Sequence, residues 1–455
     1  MPNKINNKFI KKIILVVGLV LGLFLLIHNS YYYEYFGGYN ASVHMNYAKI
    51  MGYEFRFPSF KESFENYNPP LFYLVSGLIG RFTSQISGLD FYSSLNAYKI
   101  IGVLLAIGSI YFWHKIIQSL YPKRTNLRTI FLILLFSLPV FHKVAVMFNT
   151  ELPLMFVYSL VLWFFITHFF NKPSKKSIVL LALFVTIALL IRMSSLTLFA
   201  SIFTGILGMG LLKKISWKKT LTYLSIFLTI IFISTSWFYI GRRDKDIYKA
   251  GRISEPDIPI WQRQPIEFYT YIPFKFMMTY PMRLSMPLNH IIPIYYSEFW
   301  GDFWNYYSQR RFGVSVEARR SDHYITTPQR VANLALQNQV NLPFTIIMLA
   351  GFIYINLRVI KGLFSRSKPK IWLIEVVFLC VSFLTWIGFL IMNVKYPNWK
   401  SDAVKASYML NIIPIFVYSG VIFIFNVLKK FKFVFYPVLI WLSLSTVINL
   451  WWAYY

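Results

Sequence analysis

Residues 213–240 read KKISWKKTLTYLSIFLTIIFISTSWFYI. Four lysines stand among the first seven residues, and no charged side chain occurs in the 21 residues that follow. A helix needs about 20 apolar residues to cross the hydrocarbon core of a bilayer, and lysines beside such a segment mark its cytoplasmic end. The stretch therefore predicts a transmembrane helix that begins at the cytoplasmic face near residue 220.

The rest of the chain has the same character. Of its 455 residues, 56% are hydrophobic and 14% are charged, whereas roughly 25% are charged in an ordinary soluble domain. This composition excludes a soluble globular enzyme and a disordered chain. The single cysteine, Cys380, lies within an apolar run, which excludes a disulfide framework and a zinc cluster built from cysteines.

Apolar segments of spanning length recur about 11 times along the chain. They lie near residues 10–28, 99–120, 127–147, 152–170, 177–191, 194–212, 220–240, 340–361, 371–392, 407–428 and 433–453. We therefore predict an all-α polytopic membrane protein with about 11 transmembrane helices. An odd number of spans places the N-terminus inside and the C-terminus outside.

Charge sets the orientation of these helices. Six loops carry 23 Lys and Arg and no Asp or Glu, as cytoplasmic loops do. They lie at residues 1–12, 115–128, 172–176, 213–219, 358–370 and 429–432. Of the 17 acidic residues, all except Glu375 fall on the opposite side. The net charge of +29 therefore belongs to loops that flank membrane lipids, and it does not indicate a nucleic-acid partner. Any chemistry is expected on the extracytoplasmic side.

The predicted spans divide the chain into three parts. Residues 1–240 form an N-terminal transmembrane module, 241–339 a large extracytoplasmic loop, and 340–455 the C-terminal transmembrane helices. The first module contains an outer loop at 29–98, in which residues 69–88 are apolar but interrupted by Arg81. Counting them as a span would put the acid-free basic loops outside, so we predict an interfacial helix on the outer face.

Short motifs stand on the predicted outer face. The first outer loop carries Tyr39-Asn40-Ala41-Ser42-Val43-His44 and then Asn66-Tyr67-Asn68-Pro69-Pro70-Leu71-Phe72-Tyr73. After the next outer loop, Glu151 begins a span, and Lys405-Ala406-Ser407-Tyr408-Met409-Leu410 opens a late one.

With these motifs the chain resembles the GT-C glycosyltransferases, near the branch of the protein O-mannosyltransferases and aminoarabinose transferases. Members typically carry Tyr-Asp-x-x-x-His near the end of the first span, His-Pro-Pro-Leu-Tyr-Tyr soon after it, an acid on the second outer loop, and Lys-Ala-x-Tyr-Leu-Leu at a late span. His44, Tyr73 and Glu151 stand at the first three of these places, and Lys405 with Tyr408 at the last. Each motif is short, but together they cover nearly the whole chain.

The resemblance implies an enzyme that moves a sugar from a polyprenyl-phosphate donor to an acceptor. The acceptor is a lipid, a glycan or a protein, and the active site faces the outside of a bacterial or archaeal cytoplasmic membrane. Asn40 departs from the pattern, because family members have an aspartate there that is implied as the general base. An amide takes no proton at neutral pH. Another acid must then act, and we favour Glu151 or Asp302 over Glu34 and Glu54; otherwise the chain is inactive or uses a different acceptor.

The residues themselves fit this chemistry. Glycosyl transfer needs a base for the acceptor, cations for the departing phosphate and a surface for the sugar ring. Cations stand at the outer ends of predicted spans at Lys405, Lys395, Lys143, Arg192 and Arg81. The alternative for each is snorkelling to lipid headgroups. We expect Lys405 to bind the donor phosphate, because it shares a motif with Tyr408.

The large outer loop adds aromatic and acidic candidates. An aromatic run from Tyr295 to Tyr307 includes Trp300, and its rings either stack on sugars or form an interfacial belt. Glu298 and Asp302 are four residues apart, so a helix would present them on one face. They are candidates for substrate binding and for a divalent cation such as Mg or Mn, and the alternative is solvation.

Two other functions compete. An O-antigen polymerase or ligase also has about a dozen spans and a large outer loop, and usually relies on loop arginines; this loop holds Arg242, Arg243, Arg310, Arg311, Arg319 and Arg320. A transporter or flippase would need charges inside its spans, where only Glu375 stands. The motifs around Tyr73 and Lys405 favour the glycosyltransferase.

Overall fold

The computed structural model describes residues 7–33, 37–241, 264–282, 290–304, 306–307, 328–365, 368–395 and 404–454. Within these ranges the regular structure is helical and contains no strand, so the predicted all-α class is confirmed. The helices, numbered along the chain, are α1 (Asn7–Tyr32), α2 (Ala41–Tyr53), α3 (Leu71–Ser87), α4 (Phe91–Ser94), α5 (Tyr98–Leu120), α6 (Thr125–Phe136), α7 (Pro139–Val146), α8 (Glu151–Phe164), α9 (Lys175–Ile191), α10 (Leu196–Leu211), α11 (Trp217–Tyr239), α12 (Ile266–Thr270), α13 (Phe274–Thr279), α14 (Ile291–Trp300), α15 (Pro328–Leu363), α16 (Lys370–Lys395), α17 (Ile413–Asn426) and α18 (Lys432–Ala453).

Eight helical segments of the described chain are long and apolar enough to cross a membrane, and a bent pair makes up to nine. The eight are Phe91–Leu120, Glu151–Phe169, Met193–Leu211, Trp217–Tyr239, Pro328–Leu363, Lys370–Val394, Ile413–Lys430 and Lys432–Ala453. The chain is thus a multi-pass membrane protein, but the predicted number of 11 spans is not confirmed. The remaining two predicted spans correspond to α1 and to the 17-residue α9.

The bent pair replaces the predicted span at 127–147. Its halves, α6 and α7, meet at 55°. Between them Leu138 has an extended backbone, and Pro139 occupies the first turn of α7. A proline disfavours the helical conformation of the residue before it and cannot donate a helical hydrogen bond, so the helix cannot continue there. The bend buries all eight residues of α7, including Lys143.

Two glycines bring α2 and α3 into close contact. A Cβ atom on Gly52 would lie 2.5 Å from the carbonyl carbon of Gly77, and one on Gly77 would lie 2.1 Å from the carbonyl oxygen of Ala48. Neither position accepts a side chain without a backbone shift.

The helix predicted at 69–88 is present as α3, and it is not among the spanning segments. Its place at the membrane interface stays a prediction, as do the three predicted domains.

The loop between α2 and α3 is folded against α2. The amide of Asn46 donates to the carbonyl of Glu62 (2.6 Å), the hydroxyl of Ser63 donates to the carbonyl of Val43 (3.1 Å), and the hydroxyl of Tyr47 donates to the carbonyl of Asn68 (3.0 Å). These bonds hold the segment that carries Glu65 beside the first turns of α2.

The intramembrane acid Glu375 is paired away from that region. It forms an ion pair with Arg358 of α15 and accepts a hydrogen bond of 2.8 Å from the hydroxyl of Tyr418 of α17. Three helices thus meet at one buried carboxylate, which is 1% exposed.

Candidate functional site

Five ionisable side chains from five parts of the chain form what we call the polar cluster. They are His44 of α2, Glu65 of the following loop, Glu151 at the start of α8, Arg192 between α9 and α10, and Lys405 before α17. His44 interacts electrostatically with all four of the others. His44, Glu65, Glu151 and Lys405 are each buried, so these charges act on one another with little screening by water.

Asn40 stands at the edge of the polar cluster and begins α2. Its backbone is left-handed, with φ of 52° and ψ of 26°, and its carbonyl accepts the first bonds of the helix from Val43 and His44 (both 3.0 Å). Asparagine and aspartate tolerate this conformation better than other residues that have a Cβ atom. Its side-chain amide donates to Oε1 of Glu65 (3.0 Å).

Glu65 was not among the sequence-predicted site residues. Besides the bond from Asn40, its Oε2 accepts a hydrogen bond from the amide of Asn68 (2.5 Å), and its Oε1 lies 3.8 Å from Nε2 of His44. Two neutral amides and one imidazole therefore hold the carboxylate in place. The available signal was its position directly before the Asn66–Tyr73 motif, but nothing in the sequence pairs it with a residue 25 positions earlier.

His44 is held in place by Tyr73, which is itself a predicted site residue. Its Nδ1 shares a hydrogen bond of 2.8 Å with the Tyr73 hydroxyl, which also accepts from the amide of Asn68 (3.3 Å). The Tyr73 ring stacks on Tyr47 with centroids 3.7 Å apart. The motifs that begin at Tyr39 and Asn66 thus meet where α2 packs on α3.

Glu151 forms an ion pair with Arg192, whose Nη1 also donates to the hydroxyl of Thr150 (3.0 Å). The backbone amides of Glu151 and Leu152 donate to the side-chain oxygen of Asn149 (3.0 and 3.1 Å), which satisfies two of the free N–H groups at the start of α8. The carboxylate is therefore held on a helix end and faces a guanidinium.

Lys405 and Arg192 approach the same aromatic ring. The Cζ atom of Arg192 lies 4.6 Å from the centroid of Tyr408, and Nζ of Lys405 lies 5.5 Å from it. Lys405 also lies 5.0 Å from the centroid of Tyr39. All three distances suit cation–π contacts. Tyr408 and Arg192 are partly exposed, so this is the edge of the cluster that a ligand can reach.

Burial and neighbouring charges give His44 and Glu65 different charge states at neutral pH. Burial lowers the pKa of His44 below its usual value, and it prevails over the raising effect of Glu65 and Glu151. Burial also opposes ionisation of Glu65, but His44, Lys405 and the hydrogen bond from Asn40 hold its pKa below the usual value. At neutral pH the imidazole is therefore neutral and the carboxylate is charged.

Glu298 lies in a second buried group that touches the polar cluster through Tyr39. It forms an ion pair with Lys143 and accepts hydrogen bonds from the Tyr39 hydroxyl and from the backbone amide of Trp304 (3.1 Å). Lys143 also donates to the carbonyls of Glu298 (2.9 Å) and Gly301 (3.0 Å). The substrate-binding role predicted for Glu298 stays a prediction.

Asp302 accepts hydrogen bonds from the backbone amides of Tyr306 and Tyr307 (both 3.0 Å) and from Nη2 of Arg330 (3.4 Å). The expectation that it shares a helix face with Glu298 is wrong. The helix α14 ends at Trp300, and Gly301 then turns the chain with φ of −129° and ψ of −133°. Its catalytic role stays a prediction.

Trp300 lies in the core. Its side chain is 0% exposed, its Nε1 donates to the hydroxyl of Thr345 (2.7 Å), and its ring contacts Phe299 and Phe344. A fully buried Trp300 fits neither alternative for the aromatic run, an exposed face that stacks on sugars or a belt at the membrane interface. Its substrate-binding role stays a prediction.

The structure thus brings together six predicted site residues: Asn40, His44, Tyr73, Glu151, Lys405 and Tyr408. Glu34, the side chain of Lys395 and the six loop arginines of the polymerase alternative lie outside the described residues. Arg81 donates to the carbonyl of Gly52 (3.2 Å). In the described part of the chain, no group of three or more His, Cys, Asp or Glu side chains is arranged to hold a metal ion.

A family model described as dolichyl-phosphate-mannose-protein mannosyltransferase matches residues 74–239, a segment that contains Glu151 and Arg192. The chain also resembles the crystal structure of an oligosaccharyltransferase from Archaeoglobus fulgidus in complex with Zn and sulfate. The TM-score is 0.51 at 13% identity, over 97% of this chain and 53% of that one. The chain has a GT-C fold. The resemblance inferred from the motifs is therefore confirmed at the level of the fold.

The chain spans about half the length of that oligosaccharyltransferase. Weaker similarity extends to the A. fulgidus oligosaccharyltransferase AglB in complex with an inhibitory peptide and a dolichol-phosphate (TM-score 0.48, 11% identity, 98% of this chain and 56% of that one). It also extends to ArnT from Cupriavidus metallidurans bound to undecaprenyl phosphate (TM-score 0.35, 13% identity, 90% and 76%). No curated protein matches the sequence.

Proposed function

We propose that this chain is a membrane glycosyltransferase that moves a sugar from a polyprenyl-phosphate donor to an acceptor at the polar cluster. The observation that carries the proposal is the pair of cations, Arg192 and Lys405, on one partly exposed tyrosine ring beside two buried carboxylates. The matched family model, which is named for transfer from dolichyl-phosphate-mannose, supports the same donor class.

The arrangement suits the two charges that change during transfer. When the bond between the sugar and the phosphate breaks, the electron pair goes to a phosphate oxygen, and a nearby cation stabilises the charge that develops there. Arg192 offers two parallel N–H donors to such an oxygen pair, and Lys405 offers a compact point charge. The acceptor meanwhile loses a proton, which a carboxylate within hydrogen-bond reach accepts.

Lys405 is the more informative residue to test, because Arg192 is already paired with Glu151. Burial opposes the charge on Lys405, but Tyr408, Tyr306, Glu65 and Glu151 raise its pKa above the usual value, so it is an ammonium at neutral pH. We propose that Lys405 contacts the donor phosphate directly. Losing one charge-assisted hydrogen bond costs about 1.5–3 kcal/mol.

The test measures binding of undecaprenyl phosphate to the purified full chain in detergent. Lys405→Ala should weaken binding by roughly 10- to 100-fold, and Lys405→Arg should retain most of it. The matched control is Lys49→Ala, because Lys49 also lies over a tyrosine ring (5.1 Å from the centroid of Tyr92) but on the exposed side of α2. Equal affinities of Lys405→Ala and Lys49→Ala would remove Lys405 from the donor site.

Two further parts of the proposal rest on the sequence. The extracytoplasmic location of the site follows from the acid-free basic loops on the opposite side. A divalent cation, Mg or Mn, stays a proposed cofactor without an assigned site, because Glu298 is paired with Lys143 and Asp302 with Arg330. Transfer measured with and without EDTA tests that cofactor directly.

A further inference from the structure

The two carboxylates of the polar cluster have different partners. Glu151 faces the guanidinium of Arg192. Glu65 has no lysine or arginine within ion-pair distance among the described residues, and its ionisable neighbour at 3.8 Å is the imidazole of His44, which is neutral at neutral pH. A carboxylate paired with a guanidinium holds its negative charge toward that cation, whereas one bonded to neutral amides keeps lone pairs for an incoming donor.

The hydrogen bonds of Glu65 leave room for such a donor. Asn40 and Asn68 each occupy one acceptor site, on Oε1 and Oε2 respectively, and an ionised carboxylate has about four such sites. The side chain is 5% exposed and held from both sides, so its orientation is set before any acceptor arrives. A preorganised base costs little reorganisation during the reaction.

We propose that Glu65 is the general base of this chain and that Asn40 orients it. The inference rests on the proposed glycosyltransferase function. An acceptor hydroxyl or amine gives its proton to a carboxylate oxygen of Glu65 while the acceptor atom forms a bond to the anomeric carbon of the sugar. The bond from that carbon to the phosphate oxygen breaks, and its electron pair leaves with the polyprenyl phosphate, which Lys405 and Arg192 stabilise.

Asn40 explains why the carboxylate can stand at position 65. Its amide nitrogen lies 3.0 Å from Oε1 of Glu65, so an aspartate at position 40 would set two carboxylates against each other. Like charges at that distance cannot both remain ionised without a large cost. The amide instead donates to Glu65, and the left-handed backbone at residue 40 accepts either asparagine or aspartate. The carboxylate and the amide therefore form a pair whose members can be exchanged.

The test uses membranes of cells that express the full chain, which supply the acceptor, and radiolabelled undecaprenyl-phosphate monosaccharides as donors. Turnover is compared for Glu65→Gln, Glu151→Gln, and the exchange variant Asn40→Asp/Glu65→Gln. Glu65→Gln should lower turnover by roughly 10²- to 10⁴-fold, the usual contribution of a general base. Its affinity for undecaprenyl phosphate should stay within threefold of the wild type.

The exchange variant is the sharper measurement. It returns a carboxylate to the pair at position 40 and an amide donor at position 65, so its turnover should exceed that of Glu65→Gln at least tenfold. Glu54→Gln is the matched control, because Glu54 is an exposed carboxylate after α2 whose partner is Arg56 (2.6 Å); it should keep wild-type turnover. If Glu65→Gln alone fails to fold, a folded exchange variant that shows no turnover overturns the proposal.

Three outcomes overturn the proposal. The first is wild-type turnover in Glu65→Gln while Glu151→Gln is inactive, which would make Glu151 the base. The second is a folded exchange variant that is no more active than Glu65→Gln. The third is a wild-type chain that turns over none of the donors; this result refutes the glycosyltransferase function itself and is separate from the first two, which require an active wild type.

Discussion

Replacing Asn40 by aspartate places a second carboxylate against Glu65. The amide nitrogen of Asn40 lies 3.0 Å from Oε1 of Glu65, and aspartate has the same shape and the same tolerance of the positive φ at this residue. At that separation two unit charges repel by about 5.5 kcal/mol at an effective dielectric constant of about 20, and by about 1.4 kcal/mol in water. At 1.36 kcal/mol per unit, the pKa of one carboxyl of the pair should rise by roughly 1–4 units.

The sign of the pH dependence of stability should then reverse. In the native protein burial opposes ionisation of Glu65, but His44, Lys405 and Asn40 hold its pKa below the unfolded value. Its contribution to the free energy of unfolding is therefore present above that unfolded value and lost as the pH falls through the folded pKa. In Asn40→Asp one folded pKa lies above its unfolded value, so that contribution is present in acid and lost as the pH rises.

The measurement is the melting temperature of purified protein in detergent between pH 4 and pH 8. We expect the deficit of Asn40→Asp relative to the wild type to widen as the pH rises. The rise in pKa should lie toward the smaller end of the range given above, because His44, Lys405 and Arg192 face the two carboxyl groups. The matched control is Asn96→Asp, which adds a charge at an exposed residue. A deficit that stays constant over the whole range would refute the contact between positions 40 and 65.

Further predictions concern the rest of the molecule. Glu151→Gln should lower turnover strongly, because it leaves the guanidinium opposite it without its counter-charge; the donor-turnover assay reports this. Gly52→Ala should lower stability by about 1–3 kcal/mol, because its Cβ would strike backbone, whereas Gly388→Ala, with nothing within 4 Å, should not lower it; thermal unfolding compares the two. Lys143→Met should lower the free energy of unfolding by about 3–5 kcal/mol, because it leaves the buried carboxylate of Glu298 without its counter-charge. A melting temperature equal to that of the wild type would contradict this. Lys123→Cys, in a chain whose native cysteine is replaced by serine, should react with membrane-impermeant maleimide only from the cytoplasmic side; labelling from outside would invert the topology.

Hydropathy predicted the helical class and the location of most spanning segments, because in a bilayer the cost of exposing polar groups dominates all other preferences. It did not predict the break at Pro139, since a sliding apolar window averages over one proline. The helix end at Trp300 was also missed, because a backbone turn at Gly301 depends on the contacts of Asp302 beyond it. One of these contacts, from Arg330, comes from 28 residues away and leaves no periodic signal.

The sequence predicted only part of the site, because contacts between distant residues leave no signal along the chain. His44, Glu151 and Lys405 stand in short motifs, and the fold brings them together. Glu65 was missed because its importance arises from two amides, one of which is 25 residues away. Along the chain the acids nearest to Asn40 are Glu34 and Glu54, and the contact of Asn40 with Glu65 forms only in the folded protein.

Tyr39 has two neighbours that couple distant parts of the protein. Its ring lies under the ammonium of Lys405, while its hydroxyl is bonded to Glu298 on α14. A ligand that draws Lys405 away from that ring changes the environment of the tyrosine, and hence the free energy of the segment that holds Glu298. By thermodynamic reciprocity, a change in the stability of that segment alters the affinity for the ligand by the same free energy. Occupancy of the cation pair and the stability of α14 are then one linked equilibrium, visible as a change in the amide hydrogen exchange of residues 291–300 when the donor is bound.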